Sequence, residues 1–393
     1  MKQGLWLAGA TAATIYAGLG CGDDQNGDVG PIAGTAGDAG ISETTLGGTG
    51  GGADAGRVGA ENVDSGPTGG AVGEAGIGNE TTLGGTGAGA APSRGGATGA
   101  FSCIAPASDW LLCESFERGD GDFETWLAQS DFISAVGEDD RGRVDLSIAQ
   151  THSGQYALYM PAAEASGYQG ASLDWRGCDG AQESNCSMRS YERLYFRAWI
   201  RFADDHRYVH HFLNIGGSQP DDYWYHGTAG CLPNGELSMG TTVDFRPDTH
   251  ESHFYTYTPG MSCDTNCGAY ADVDQFCQDC ADKGLPTCDS QPQCCWGNHH
   301  GPEAPHYFPV GEWFCLEMMM QVNTVGESDG EMAYWVNDVE IHRETTMMWR
   351  TTPTLSLNRV RLQHYITTSD AEGHSNRVWF DDVVVSTERI GCD

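Results

Sequence analysis

Trp313-Phe314-Cys315-Leu316-Glu317-Met318-Met319-Met320-Gln321-Val322-Asn323 sets Leu316, Met318, Met320 and Val322 against Glu317, Met319, Gln321 and Asn323. A period of two is the repeat of a strand with one buried face. Ser328-Asp329-Gly330 reads as a turn, Glu331 to Val336 as the next strand, and Asn337-Asp338 as a tight hairpin into Val339 to Arg343.

The same period extends outward from this hairpin. Between Glu192 and Phe202, Leu194, Phe196, Ala198, Ile200 and Phe202 point one way, and Arg193, Tyr195, Arg197, Trp199 and Arg201 the other. Further strands are expected at Leu111–Phe116, Val144–Ile148, Tyr156–Met160, Val209–Ile215, Met239–Phe245, Arg359–Ile366 and Arg377–Ser386. No amphipathic helix longer than about ten residues is expected. Many short strands separated by turns give an all-β sandwich or jelly roll.

Three stretches resemble a known group. Trp313 to Glu317, then Asn323, Asp329-Gly330 and Trp335-Val336-Asn337-Asp338 look like the central hairpin of concanavalin A-like lectin/glucanase jelly rolls. Tyr195 to Phe202 is similar to a strand of the polysaccharide lyase-like members, and Val378 to Ser386 resembles their last strand. The resemblance spans roughly 110 to 390 and implies the fold. It says less about the reaction, because such a fold hosts lectins, hydrolases, lyases and inert modules.

A cysteine-rich insertion, about 260–300, interrupts this pattern. Cys263, Cys267, Cys277, Cys280, Cys288, Cys294 and Cys295 fall within 33 residues. Seven is odd, so at least one is expected to pair outside, with Cys231 or Cys315 as partners. Cys103/Cys113 and Cys178/Cys186 suit local bridges. Zinc is the rival, since Cys277-x-x-Cys280 has ligand spacing and His299-His300 is near. Fifteen cysteines in one chain favour disulfides and an oxidising compartment.

Before the domain, residues 21–100 are a different material: from 22 to 100, 26 of 79 residues are Gly. Glu43 to Gly50 repeats as Glu80 to Gly87. Such a chain buries too little apolar surface to order itself and reads as a disordered tether. Its reach is on the order of 50 Å. Residues 1–20 read as an export signal, with Lys2 followed by the mostly apolar run Leu5–Leu19. Ala17-Gly18-Leu19-Gly20-Cys21 resembles a bacterial lipobox, with Leu at −2 where most have it at −3. That resemblance implies a lipid on Cys21, a bacterial envelope or surface location, and a membrane bond through the lipid alone. Without Cys21, fourteen cysteines remain for bridges. The folded domain is then 101–393.

Charge limits the partners. Lys and Arg number 20 against 55 acids, for a net charge of −35. A nucleic-acid binder needs a basic footprint that this chain lacks. Polysaccharide is the partner the resemblance implies, lying across the concave sheet. A lyase acting on a uronate must neutralise the carboxylate, remove the C5 proton and protonate the leaving oxygen. The polar strand faces offer Arg193, Arg197 and Trp199; Tyr208, His210 and Asn214; Glu317 and Gln321; and Arg359, Arg361, Gln363 and Tyr365. His210 or Tyr365 is expected as the base, with Arg197, Arg361 and Gln363 gripping the acid group and Trp199, Asn214 and Gln321 beside the sugar. This grouping holds only if all face one groove, because a polar strand face is also the ordinary solvated side of a sheet. No cofactor is required, and Asp381-Asp382 is a candidate calcium pair, as jelly rolls often carry. The Glu-x-Asp-x-x-Glu strand motif of β-glucanases is missing: Met318-Met319-Met320-Gln321 follows Glu317. A lyase-like enzyme is the preferred function. The alternatives are a non-catalytic carbohydrate-binding module and a structural or adhesive surface domain.

Overall fold

The computed structural model describes Cys103, 106–134, 144–160, 169–178, 188–207, 209–220, 230–246, 249–263, 280–282, Leu285, 295–366 and 376–393. The expected export signal with Cys21, the expected tether, Tyr208 and most of the cysteine-rich insertion lie outside the described residues.

In chain order the strands are β1 (Trp110–Glu114), β2 (Phe132–Ser134), β3 (Asp145–Ser147), β4 (Ala157–Met160), β5 (Gln169–Arg176), β6 (Arg193–Phe202), β7 (His211–Ser218), β8 (Ser238–Phe245), β9 (Ser252–Tyr257), β10 (Asn298–His300), β11 (Trp313–Gln321), β12 (Gly330–Val336), β13 (Val339–Met347), β14 (Arg359–Ile366) and β15 (Val378–Ser386). The described α-helix, α1 (Phe123–Gln129), has seven residues and is capped where Asp122 accepts from the Thr125 N–H at 2.8 Å. All strand pairings are antiparallel. The first sheet runs β13-β12-β11-β6-β15-β4-β3, with β1 also on β15; the second runs β10-β9-β8-β7-β14-β5-β2. This is the expected all-β jelly-roll sandwich.

Alternation explains how the sheets meet. Leu194, Phe196, Ala198, Ile200 and Phe202 of β6 all enter the core fully buried, as do Phe314, Leu316, Met318 and Met320 of β11. The second sheet answers with Leu173, Phe212, Ile215, Val243, Phe254, Val360 and Leu362. Each fully buried Phe or Leu contributes about 1.5–3 kcal/mol of transfer free energy. Polar contacts also cross the layer: the Tyr334 hydroxyl lies 2.8 Å from Ser252 Oγ, and the Thr241 hydroxyl faces Met332 Sδ at 3.6 Å.

The Asn337-Asp338 hairpin forms as expected. Both residues take positive φ, 48° and 67°, the conformation that matches the twist of paired strands. Cys103–Cys113 forms, and Cys280 of the insertion pairs with Cys231. Cys263–Cys295 joins the two ends of the insertion. The zinc reading of Cys277-x-x-Cys280 fails because the Cys280 sulfur is spent in that bridge. Cys315 takes Cys392 as partner, not an insertion cysteine. Cys178 is disulfide-bonded, and Cys186 lies outside the described residues.

Candidate functional site

The outer face of the second sheet gathers polar and titratable side chains from five strands. On β14, Val360, Leu362 and His364 turn inward, so Arg359, Arg361, Gln363 and Tyr365 share the other face. Asn214 of β7 stands opposite Arg361, and His211 opposite Tyr365. β5 adds Ser172, Asp174 and Arg176, and β8 and β9 add Thr242, Asp244, His253, Tyr255 and Tyr257.

A β-bulge sets this arrangement. The pairing of β7 with β14 shifts between Leu213–Leu362 and His211–Tyr365. Phe212 and Leu213 therefore both enter the core, and the residue before them, His211, is turned outward. Strict alternation back from Asn214 selects His210, so the sequence alone passes over His211. His210 still lies close, its ring 5.3 Å from that of Tyr365 and 4.3 Å from that of His211. Its backbone N–H donates to the Tyr365 carbonyl at 2.6 Å.

His211 is held in place by a carboxylate. Its Nδ1 lies 3.0 Å from Asp244 Oδ2, while Asp244 Oδ1 accepts from the Phe212 N–H at 2.8 Å. A carboxylate at Nδ1 fixes the proton there and leaves Nε2 as the acceptor. The His211 ring lies nearly parallel to Tyr365, centroids 6.0 Å apart, and 5.2 Å from Tyr255. The Tyr255 hydroxyl lies 3.2 Å from that of Tyr257 and accepts from the Gly297 N–H at 2.9 Å. Next to it, burial drives His253 down to about 4, against the opposing charge of Asp244. The Gln363 amide makes no hydrogen bond to any described residue.

Beside this group is a knot of cations. Asp174, fully buried, accepts from Arg361 Nε and Nη2 at 2.5 and 2.9 Å and from Arg176 Nη2 at 3.2 Å. Arg359 donates to Asn214 Oδ1 at 3.3 Å, and Asn214 Nδ2 donates to the Thr241 carbonyl at 3.0 Å. Burial works to lower Arg361, yet the charge and hydrogen bonds of Asp174 hold it above its ordinary value. Arg359 goes the other way, lowered by burial and then by Arg176 and Arg361. Gly216 makes room for it: a Cβ there would come within 2.9 Å of the Arg359 guanidinium.

The expected groove therefore divides. Asn214, Arg361, Gln363, Tyr365 and the neighbouring His210 come together. Arg197, Trp199 and Gln321 do not, because β6 and β11 belong to the other sheet and present these side chains on its own outer face. The hydrophobic core lies between the two groups. Buried Arg197 donates to the carbonyls of Gly391 and Asp382 at 3.1 and 3.0 Å, and burial lowers its pKa to about 10. Trp199 stacks on His152 at 3.7 Å. Gln321 lines a cavity of about 800 Å³ at the end of the first sheet, with Arg193 and Arg350.

The candidate calcium pair is also placed on the first sheet. Asp381 and Asp382 are fully buried at a bulge of β15. Asp381 Oδ2 accepts from the N–H groups of His152 and Ser153, and Oδ1 from the Asp382 N–H. Asp382 holds His152 Nδ1 at 2.7 Å and the Ser153 hydroxyl at 2.6 Å. All four oxygens are thus engaged by protein groups, three of them with N–H or O–H donors aimed inward. Calcium is held by roughly six to eight oxygens, and this donor set does not fit it. Among the described residues no group of three or more His, Cys, Asp or Glu side chains is arranged to hold a metal ion.

No family model matches the chain, and no curated protein matches it. Several solved structures are similar at a distance. The PL-14 alginate lyase of Aplysia kurodai has a TM-score of 0.45 and 14% identity, covering 71% of this chain and 99% of that one. An endo-β-1,4-glucuronan lyase of the fungus Trichoderma reesei has a TM-score of 0.40 and 14% identity, covering 71% and 96%. Alginate lyase vAL-1 from Chlorella virus has a TM-score of 0.41 and 11% identity, covering 62% and 89%. Likenesses this distant do not bear on what the present chain does.

Proposed function

We propose that the chain is a polysaccharide lyase that cleaves a uronate-containing polysaccharide by β-elimination on the outer face of its second sheet. The observation that carries this reading is the pairing of His211, with Nδ1 held by Asp244, and Tyr365 on one face. Gln363 and Asn214 stand beside them. Elimination needs a base and an acid within reach of one sugar ring. His211 Nε2 takes the C5 proton. The electron pair of that C–H bond becomes the C4=C5 double bond as the C4–O4 bond breaks. The Tyr365 hydroxyl returns a proton to O4. No oxidant or reductant is needed. Asp244 supports the imidazolium that forms, and the Gln363 and Asn214 amides, with the Arg361–Asp174 pair behind them, face the carboxylate whose charge must be shared for C5 to lose its proton.

The test is the full chain, disulfides intact, with a panel of uronate-containing and neutral polysaccharides. Ultraviolet absorbance of the new double bond, conjugated to the carboxylate, reports the unsaturated product. A rise abolished by both His211→Ala and Tyr365→Phe supports the assignment. A rise untouched by either change discards these residues, and no rise on any uronate discards the lyase. Tyr255 and Tyr257 on the same face favour one second reading, a carbohydrate-binding module, shown by glycan affinity without turnover. The same proposal places the protein at a bacterial surface, lipid-anchored at Cys21, with 21–100 as tether. Mass spectrometry of the membrane-extracted chain tests that anchor.

A further inference from the structure

A cluster that the proposed reaction does not use lies on the other side of β14. His364 sits between Gln363 and Tyr365, and alternation sends its imidazole into the core. His206, in the loop between β6 and β7, meets it with Nε2 against Nε2 at 3.3 Å. The other nitrogen of His206, Nδ1, meets Nε2 of His250 at 3.0 Å, from the turn between β8 and β9. The three rings are 5%, 5% and 0% exposed for His206, His250 and His364.

Each contact between nitrogens needs one N–H and one lone pair. Three neutral imidazoles satisfy both contacts in either of two concerted sets of tautomers, with the His206 proton on Nδ1 or on Nε2. One added proton can be accommodated, since a charged His206 donates both ways. A second sets N–H against N–H and breaks a contact. Among the described residues no carboxylate faces His206 itself. Among the described residues the titratable groups facing His206 are His250 and His364; Phe202 lies 4.4 Å away and Phe245 5.8 Å. Asp204 and Asp205 of the same loop point outward, 85% and 56% exposed, toward Arg201 and Arg377. Around His250, Arg246 and Glu251 pair with each other at 3.6 Å. β5 sets Ala171 opposite His364. Burial, then His364 and His250, hold His206 well below its ordinary value.

The three histidines tie together the three elements that build the site. The loop carrying His206 runs on through buried Val209 to His210 and His211. His364 is the neighbour of Gln363 and Tyr365. The turn carrying His250 follows Asp244 and β8. We infer that this histidine relay is an acid-operated latch: below neutral pH it releases the β6–β7 loop, and with it His210 and His211, before the sandwich unfolds. The release rests on the relay alone; its effect on turnover rests on the elimination reading above.

The sign follows from linkage. A histidine held below its ordinary value contributes stability that is present above about pH 6.5 and is lost as pH falls. Each proton taken up on opening raises the opening constant about tenfold per pH unit. Hydrogen exchange on the full chain, corrected for intrinsic rates from neutral pH to below 5, reads this directly. Peptides over the β6–β7 loop are expected to lose protection at least about tenfold per pH unit, while the β11–β12 hairpin keeps its own. His206→Gln keeps a donor and an acceptor but does not titrate, and should remove about one proton from that slope. His364→Gln serves the same purpose if His206→Gln does not fold. Parallel loss in loop and hairpin, or a slope unchanged by the variants, overturns the latch. Elimination measured over the same range separates the two readings. Activity that persists after loop release overturns the latch's control of the site. Loop release in a chain that eliminates no uronate overturns the lyase and leaves the latch standing.

Discussion

The outer faces of the two sheets are written in nearly the same letters and finished in opposite ways. β6 offers Arg193, Tyr195, Arg197, Trp199 and Arg201; β14 offers Arg359, Arg361, Gln363 and Tyr365. On the first sheet the chain closes its own face. Residues after β15 cross it: Glu317 accepts from the N–H groups of Ile390 and Gly391 at 2.7 and 3.0 Å, Arg197 donates to the Gly391 carbonyl, and Cys392 is bound to Cys315. Arg389 lies 4.8 Å over Trp335. On the second sheet the amide of Gln363 and Nε2 of His211 meet no described protein group. Arg, aromatic and acid in alternation do not by themselves make a site. The difference lies in whether the protein uses their hydrogen bonds for itself.

The sharpest way to break this contrast is to remove a group from the open face. His211→Ala or Tyr365→Phe should cut elimination by roughly 10²–10⁴-fold with the fold intact, as read by product absorbance and circular dichroism. Arg197→Ala should do the reverse. It leaves the Gly391 and Asp382 carbonyls without their donor, while Glu317 keeps Arg389 at 3.6 Å. The cost in denaturant unfolding should be about 1–3 kcal/mol for each buried carbonyl left unpaired, while kcat of the folded fraction stays unchanged. Cys392→Ala opens a loop with a sequence separation of 77 and should cost about 2–4 kcal/mol, again without touching kcat. The last effect is set by pH and concerns Asp381. Burial, then the charge of Asp382, raises it from 3.8 to about 7. The neutral acid is therefore favoured in the fold. Its contribution is full below about pH 3.8, falls by at most about 1.4 kcal/mol per pH unit toward 7, and is flat above. Denaturant midpoints across that range, against Asp381→Asn, check the slope.

Much of the fold was legible from alternation. The inward residues of β6 and β11 and the positive-φ hairpin at Asn337-Asp338 were all readable, because each depends on neighbours close in sequence. β5 was not: Gln169-Gly170-Ala171-Ser172-Leu173-Asp174-Trp175-Arg176 has little strand propensity and is held by β14 on one side. About half of the site was legible for a similar reason. Parity along a strand says which residues share a face, but not which sheet the strand joins. Arg197, Trp199 and Gln321 were therefore grouped with Asn214, Arg361 and Gln363 across a core that separates them. His211 was hidden by the register shift between β7 and β14, three steps on β14 against two on β7, which leaves no mark in composition.

The position of β15 has a consequence for how the protein is made. It lies between β6 and β4, so β3 and β4 reach the rest of the first sheet through it. Before residues 378–386 pair, the larger sheet is in three unjoined pieces, β13-β12-β11-β6, β4-β3 and β1, with central strand edges exposed. The larger sheet is therefore completed only once these residues are available to pair. Until then the unpaired edges of β6 and β4 stay open to a protease or to another chain's strand.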